Sequence, residues 1–178
     1  MDKKLYIKQL ENELNSVFNE NLIDMKDFPN NKVNEKKMAF KSRALAAYSL
    51  LTLADVDPIQ AANAVVDGID DNGIDAILFQ ENKKIFWLVQ SKWIQKGNKS
   101  PQANELRSFS SGVKDIFEFD NTHDRFNQKI KDKEEEIKLA NRVDVKIKII
   151  VSHTGSNLSK NCHTVIQDLI KDINDGFE

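Results

Sequence analysis

The sequence predicts an α/β domain, a small mixed sheet flanked by helices, with a helical extension in front. Three observations carry that expectation. Two short apolar runs rich in Ile, Val, Phe and Trp, at 74–79 and 85–89, stand either side of the polar stretch Gln80-Glu81-Asn82-Lys83-Lys84, as the two arms of a β-hairpin do. Val143-Asp144-Val145-Lys146-Ile147-Lys148-Ile149-Ile150-Val151 alternates and then turns continuously apolar, as a strand entering a sheet from one edge would. Before and between these runs, apolar residues recur at three- and four-residue intervals, the helical period.

The elements follow in order. Leu5-Tyr6, Leu10, Leu14 and Val17-Phe18 mark an amphipathic first helix, which breaks at Asp27-Phe28-Pro29-Asn30-Asn31. Asn34 is suited to cap a second helix whose apolar stripe runs through Ala39-Phe40, Arg43-Ala44, Ala47-Tyr48 and Leu50-Leu51. Asp57-Pro58 opens a third helix extending through Val66, because proline is tolerated in a first helical turn. The acidic, glycine-bounded loop Gly68 to Gly73, crowded by Asp67, Asp70 and Asp71, delivers the chain into the hairpin. It lacks the ordered twelve-residue pattern and closing glutamate of an EF-hand, so turn chemistry is its default reading. After the hairpin, Leu106, Phe109, Val113 and Ile116-Phe117 predict a helix packed on the sheet. A largely solvent-exposed helix is expected over 124–140, with Phe126, Ile130 and Ile137 as a thin stripe, and a last helix closes the chain between Ser156 and Ile173.

Chemistry sits on the otherwise apolar hairpin. Strand alternation puts Asp75 on one face with Ile77 and Phe79, and Gln90 and Lys92 on one face with Leu88 and Phe86. A turn centred on Glu81-Asn82 sets Asp75 nearly opposite Gln90. An unpaired carboxylate or ammonium among aliphatics costs several kcal/mol, so three polar groups on one hairpin face need a reason. A divalent metal ion supplies one. The Asp75 carboxylate, the Gln90 side-chain oxygen and the Ser91 backbone carbonyl are hard oxygen ligands suited to Mg²⁺, with Mn²⁺ able to substitute. Lys92 then stands where it can orient or deprotonate an attacking water, or offset charge building on phosphorus. Asp71, just upstream, is a candidate for supporting the ligands from outside their shell.

The combination of Gly73-Ile74-Asp75 with Gln90-Ser91-Lys92 resembles the PD-(D/E)XK nuclease superfamily, in the variant where glutamine replaces the second acidic residue. Ala39-Phe40, the segment from Ala61 to Ile77, and Leu88-Val89-Gln90-Ser91-Lys92-Trp93 together resemble the N-terminal nuclease region of abortive-infection phage-resistance (AIPR) proteins, over roughly residues 35 to 95. The resemblance implies a restriction-endonuclease-like core over 35–178 behind a helical extension at 1–34, all one nuclease domain. It assigns Asp75 as the metal-binding aspartate, Gln90 as the second ligand position and Lys92 as the catalytic lysine. The acidic residue that many members carry on the preceding helix has Glu35 as its candidate here. The implied activity is metal-dependent hydrolysis of nucleic-acid phosphodiesters, with DNA the favoured substrate, in anti-phage defence. Family members run well past this length, which implies that the chain is the N-terminal part of a longer protein with a C-terminal domain as its neighbour.

Composition narrows the alternatives. At 178 residues and 40% hydrophobic, the chain can bury one sizeable core, and a formal charge of −2 excludes a protein that coats nucleic acid over its whole surface. Lys92, Lys96, Lys99, Arg107 and Lys114 could still form a basic rim beside the site. Cys162 is the only cysteine, excluding an intramolecular disulfide and a multi-cysteine zinc site, and with no signal-peptide or membrane-spanning pattern the expectation is a cytoplasmic protein without membrane contact. His153 and His163 are readier as surface or packing residues than as catalytic bases, and Trp87 and Trp93 readier as core than as base-stacking platforms. Two other functions compete with the nuclease: a nucleic-acid-binding module with a decayed site, and an assembly domain whose helices hold a homodimer.

Overall fold

A computed structural model of the chain describes residues 3–19, 21–28, 32–142 and 144–176. It is an α/β structure in which helices cover both faces of a three-stranded mixed sheet of order β1-β2-β3, with β1 Ala76–Gln80, β2 Ile85–Lys92 and β3 Lys146–His153. The strand β2 is central: it pairs antiparallel with β1 and parallel with β3. The order helix, hairpin, helix, strand is as expected. Among the described residues, no helix is long and apolar enough to cross a membrane.

The pairs Ala76–Val89 through Gln80–Ile85 put the centre of the hairpin between Asn82 and Lys83, one residue beyond the expected position. A 3₁₀ turn at Glu81–Lys83 closes it, with Lys84 at φ 51° absorbing the reversal. Continued one step, this register sets Asp75 against Gln90. Alternation then divides the sheet between two cores. Ala76, Trp87 and Val89 face a cluster built with α1 (Lys3–Val17), α2 (Val33–Leu50) and α3 (Pro58–Asn63), whereas Ile77, Phe86 and Leu88 face Phe109, Val113 and Ile116 of α4 (Ala103–Phe117) and Leu169 of α8 (Lys160–Asn174). Each such buried side chain contributes about 1.5–3 kcal/mol through apolar burial.

Several helix boundaries differ from expectation, each for a visible reason. In α1 the buried face runs through Ile7 and Leu14 and continues to Phe18 just past its end, while Leu5 and Tyr6 are half exposed on its flank. Asn34 lies inside the first turn of α2 rather than at its cap, because the Lys32 carbonyl already accepts from Lys36 N–H. The helix α3 opens at Pro58 as expected, and Asp57 caps it, its carboxylate accepting from the Ile59 and Gln60 amides. The helix stops at Asn63 instead of Val66 because the chain leaves it to bridge β1: Ile77 N–H donates to Ala64 O at 2.8 Å and Val66 N–H to Asp75 O at 2.9 Å. The single helix expected over 124–140 is broken into a 3₁₀ turn at His123–Arg125, α6 (Gln128–Lys131) and α7 (Glu134–Ala140), with α5 (Phe119–Thr122) ahead of them. Asn127 makes the break: its side chain caps α6, its amide donates to Asp70 O and its Nδ2 to Val66 O, pinning the segment onto the acidic loop. Phe126, Ile130 and Ile137 are consequently buried rather than the stripe of a solvated helix. The strand β3 starts at Lys146 and includes His153, and the expected start at Val143 lies outside the described residues, as do Pro29, Asn30 and Asn31 of the first break.

The acidic loop is pressed onto α4 at Gly112, where an added Cβ would meet Asn72 O at 2.4 Å. Alanine in an exposed helix would gain about 1 kcal/mol over glycine, whereas overpacking costs about 1–3 kcal/mol. Gly112→Ala is therefore expected to lower the melting temperature by several degrees and to displace the 70–73 turn. A melting temperature raised by the substitution would contradict this packing.

Candidate functional site

The loop from Asp67 to Asp75 is folded back on itself by its own aspartates. Asp70, Asn72 and Gly73 all take positive φ, at 60°, 52° and 80°. Asp71 holds this turn together: Oδ1 accepts from Gly73 N–H at 2.7 Å and Oδ2 from Gly68 N–H at 3.0 Å. The Asp67 N–H donates to the Asp75 carbonyl at 3.2 Å, so the β-bridge that ends α3 also draws the first aspartate of the loop to the last. Carboxylate oxygens of Asp67, Asp71 and Asp75 consequently lie within 4.8 Å of one another, all partly buried.

Like charges so close cannot all ionise freely. Burial, reinforced by the charges of Asp67 and Asp71, pushes the Asp75 carboxyl well above its ordinary range, against the opposing pull of the Ser91 amide, which donates to Asp75 Oδ2 at 2.5 Å. Burial likewise pushes Asp71 up to about 6, with Asp67 adding to the rise and the Gly68 and Gly73 amides opposing it. On the outer side, Arg43 of α2, 1% exposed, donates through Nε to Asp67 Oδ2 at 2.6 Å. Its terminal nitrogens are held by both oxygens of Asp27, at 2.7 and 2.5 Å. Arg43 occupies the position the helical stripe allots to an apolar residue, so its burial as an ion is a departure from the sequence expectation.

The predicted residues divide as follows. Asp75, Gln90 and Lys92 share one face of the hairpin, and Gln90 and Lys92 both meet Glu105 in the first turn of α4: Gln90 Nε2 donates to Glu105 O at 3.0 Å, and the Lys92 ammonium is paired with the Glu105 carboxylate. Gln90 Oε1 is buried without a hydrogen-bond partner. Ser91 is buried, with its amide on Asp75 and its hydroxyl on Ser42 O, so the group seen against Asp75 is the Ser91 N–H and not its carbonyl. Glu35 is not brought into the carboxylate group; it is ion-paired with Lys32 at 3.0 Å on the exposed start of α2. Asp67 stands with Asp71 and Asp75, and Glu105 against Gln90 and Lys92; neither is among the ligands the sequence predicts. Asp67 carried a signal, its membership in the acidic run, whereas Glu105 carried none beyond its place in the first turn of α4.

The remaining candidates fall outside this group. Trp87 and Trp93 are buried, Trp87 donating to Gln80 Oε1, and His163 is exposed on α8. His153 is the register partner of Lys92, with its Nδ1 buried and unpaired and its basicity lowered by burial and by Lys3. Of the expected basic rim, Lys96, Lys99 and Arg107 are exposed near the end of β2 and the start of α4, while Lys114 is paired with Asp172.

The donor set fits a hard divalent cation. The three clustered carboxylates of Asp67, Asp71 and Asp75 are oxygen donors of the type Mg²⁺ and Mn²⁺ take, whereas Glu105, bonded to Gln90 and Lys92, is not part of that group. Compared with protein-family models, with curated proteins and with solved structures, the chain matches none.

The raised carboxyls predict how stability depends on pH. A carboxyl whose folded pKa exceeds its unfolded value favours the folded state while protonated, so that contribution falls away as pH rises from about 4 toward 6 for Asp71 and further up for Asp75. Chelator-treated protein should melt progressively lower from pH 4 to pH 7, and millimolar Mn²⁺ should restore stability at pH 7.5 but not at pH 5. A melting temperature unaffected by Mn²⁺ at both values would remove the case for a cation at these carboxylates.

Proposed function

We propose that the chain is a metal-dependent nuclease domain of PD-(D/E)XK type that hydrolyses phosphodiester bonds, with DNA as the favoured substrate. The observation that carries this reading is the meeting of Asp75, opposite Gln90, with two further aspartates at one end of the sheet, while Lys92 lies on the same hairpin face. A carboxylate cluster crowded enough to hold its own protons is stabilised by a divalent cation, and a lysine beside it suits water attack on a phosphodiester.

In this reading Asp75 is the principal metal ligand, with Asp67 and Asp71 completing the acidic wall. Glu105 supplies the carboxylate that Gln90 lacks. A bound Mg²⁺ or Mn²⁺ would polarise the scissile phosphate and lower the pKa of water. Lys92, half exposed and paired with Glu105, exchanges that partner for the attacking water or a phosphate oxygen when substrate arrives. The Gln90 amide is oriented by the Glu105 carbonyl, which turns its oxygen away as an acceptor. Lys96, Lys99 and Arg107 meet the flanking phosphates. A role in phage defence, and a further domain in a longer chain, are proposed on the resemblance to AIPR proteins alone.

The uncharged Gln90 favours one competing reading, a duplex-binding domain that no longer turns over. A plasmid-cleavage assay with and without Mg²⁺ separates the two. Wild type is expected to nick or linearise plasmid only with the metal, Asp75→Ala to be inactive, and Lys92→Ala to lose about 10²- to 10⁴-fold in rate, the span usual for an acid–base group, with its fold intact. Cleavage by Asp75→Ala at the wild-type rate would refute the assignment; retained binding without cleavage in wild type would favour the competitor.

A further inference from the structure

The buried Arg43 links the acidic wall to a part of the chain that the proposed reaction does not use. Its guanidinium is saturated: Nε donates to Asp67 Oδ2, Nη2 to Asp67 O at 2.9 Å and to Asp27 Oδ2, and Nη1 to Asp27 Oδ1 and to Asp24 O at 2.6 Å. Its central carbon lies over the Phe28 ring, 5.2 Å from the ring centre. Asp24, Asp27 and Phe28 belong to the turn after α1, within the N-terminal extension. Lys129 of α6 adds a second cation on the same side, donating to Asp67 O at 3.0 Å.

The pattern of bonds decides what Arg43 does to Asp67. An arginine facing a lone carboxylate takes both oxygens in a fork. Here the fork is spent on Asp27, and Asp67 receives a single side-chain bond through Nε. One oxygen of Asp67 is therefore held while the carboxylate still reaches Asp71 and Asp75. We propose that Asp27 and Arg43 are positioning residues for the divalent-ion site: Asp27 anchors the end of the guanidinium, which fixes its Nε edge on Asp67 and leaves the second Asp67 oxygen turned toward the ion.

Without Asp27 the guanidinium loses its end-on anchor, so the edge that holds Asp67, with Nε on Oδ2 and Nη2 on the backbone carbonyl, no longer fixes that carboxylate toward Asp71 and Asp75. The site would then lose a donor without any change to a residue that touches the ion. Because the Asp27 carboxyl is itself partly exposed, its replacement spares the packed core, whereas removing Arg43 would strand two carboxylates.

This inference rests on the metal-site reading, and calorimetric titration of the full chain with Mn²⁺ alone keeps the two apart. Wild type should bind, Asp75→Ala should not, Asp27→Asn should bind about tenfold more weakly or worse, the range usual when an outer partner of a ligand is lost, and Asp27→Glu should recover most of the affinity. Unfolding is monitored by circular dichroism at the titration temperature. Asp27→Asn folded with wild-type affinity, while Asp75→Ala fails to bind, would overturn the positioning role alone. Identical titrations of wild type and Asp75→Ala, with or without binding, would overturn both.

Discussion

The acidic end of the sheet turns on an excess of carboxylates over the side-chain cations bonded to them among the described residues. Asp27, Asp67, Asp71 and Asp75 form a connected set, and the cations bonded to it, Arg43 and Lys129, both stand on its outer side. A domain's net stability is only about 5–15 kcal/mol, so a crowded, partly buried anionic group is a large fraction of the margin. Protons offset it at low pH and a divalent ion can offset it at neutral pH. The backbone accepts this cost in order to bring the carboxylates together: the loop spends three positive-φ residues on doing so, and Gly112 and Gly73 let it lie against α4 with no room for a side chain.

The same constraint explains how the site is divided between elements. In the proposed site the hairpin contributes Asp75, Gln90 and Lys92, the loop Asp67 and Asp71, and α4 Glu105, which meets Gln90 and Lys92. The sheet is indifferent to this chemistry below the site, where Ile77, Leu88 and Phe86 fill a dry core. Polar groups gather at the end of the sheet where β1 begins and β2 and β3 finish, and there alone among the described residues are three side-chain polar atoms, on Gln90, Trp93 and His153, buried without partners.

Much of this was legible in local pattern. Alternation along the hairpin assigns Asp75, Gln90 and Lys92 to one face, and the helical period of Leu106, Phe109, Val113 and Ile116 locates α4, because both periods are properties of the backbone itself. What stayed hidden depends on contacts distant in sequence. Arg43 reads as a member of an apolar stripe, since nothing near it in sequence announces the Asp27 and Asp67 carboxylates that let it be buried. Glu105 looks like an ordinary first-turn acid until the fold sets it beside Gln90 and Lys92. Glu35 was a reasonable candidate for the helix acid by its place on α2, yet the side of α2 that meets the acidic loop is the one carrying Arg43. The segment 124–140 has helical periodicity throughout, and only the tether of Asn127 to Val66 and Asp70 breaks it.

The proposed role of these carboxylates, holding a catalytic cation, is tested most directly by anomalous diffraction from crystals of the protein with Mn²⁺ and a short DNA duplex. A strong manganese peak is expected against the Asp75 carboxylate, bounded by the acidic wall on one side and by Gln90 and Glu105 on the other, with a phosphate oxygen completing its shell. Saturating Mn²⁺ with bound duplex but no ion at Asp75 would contradict it.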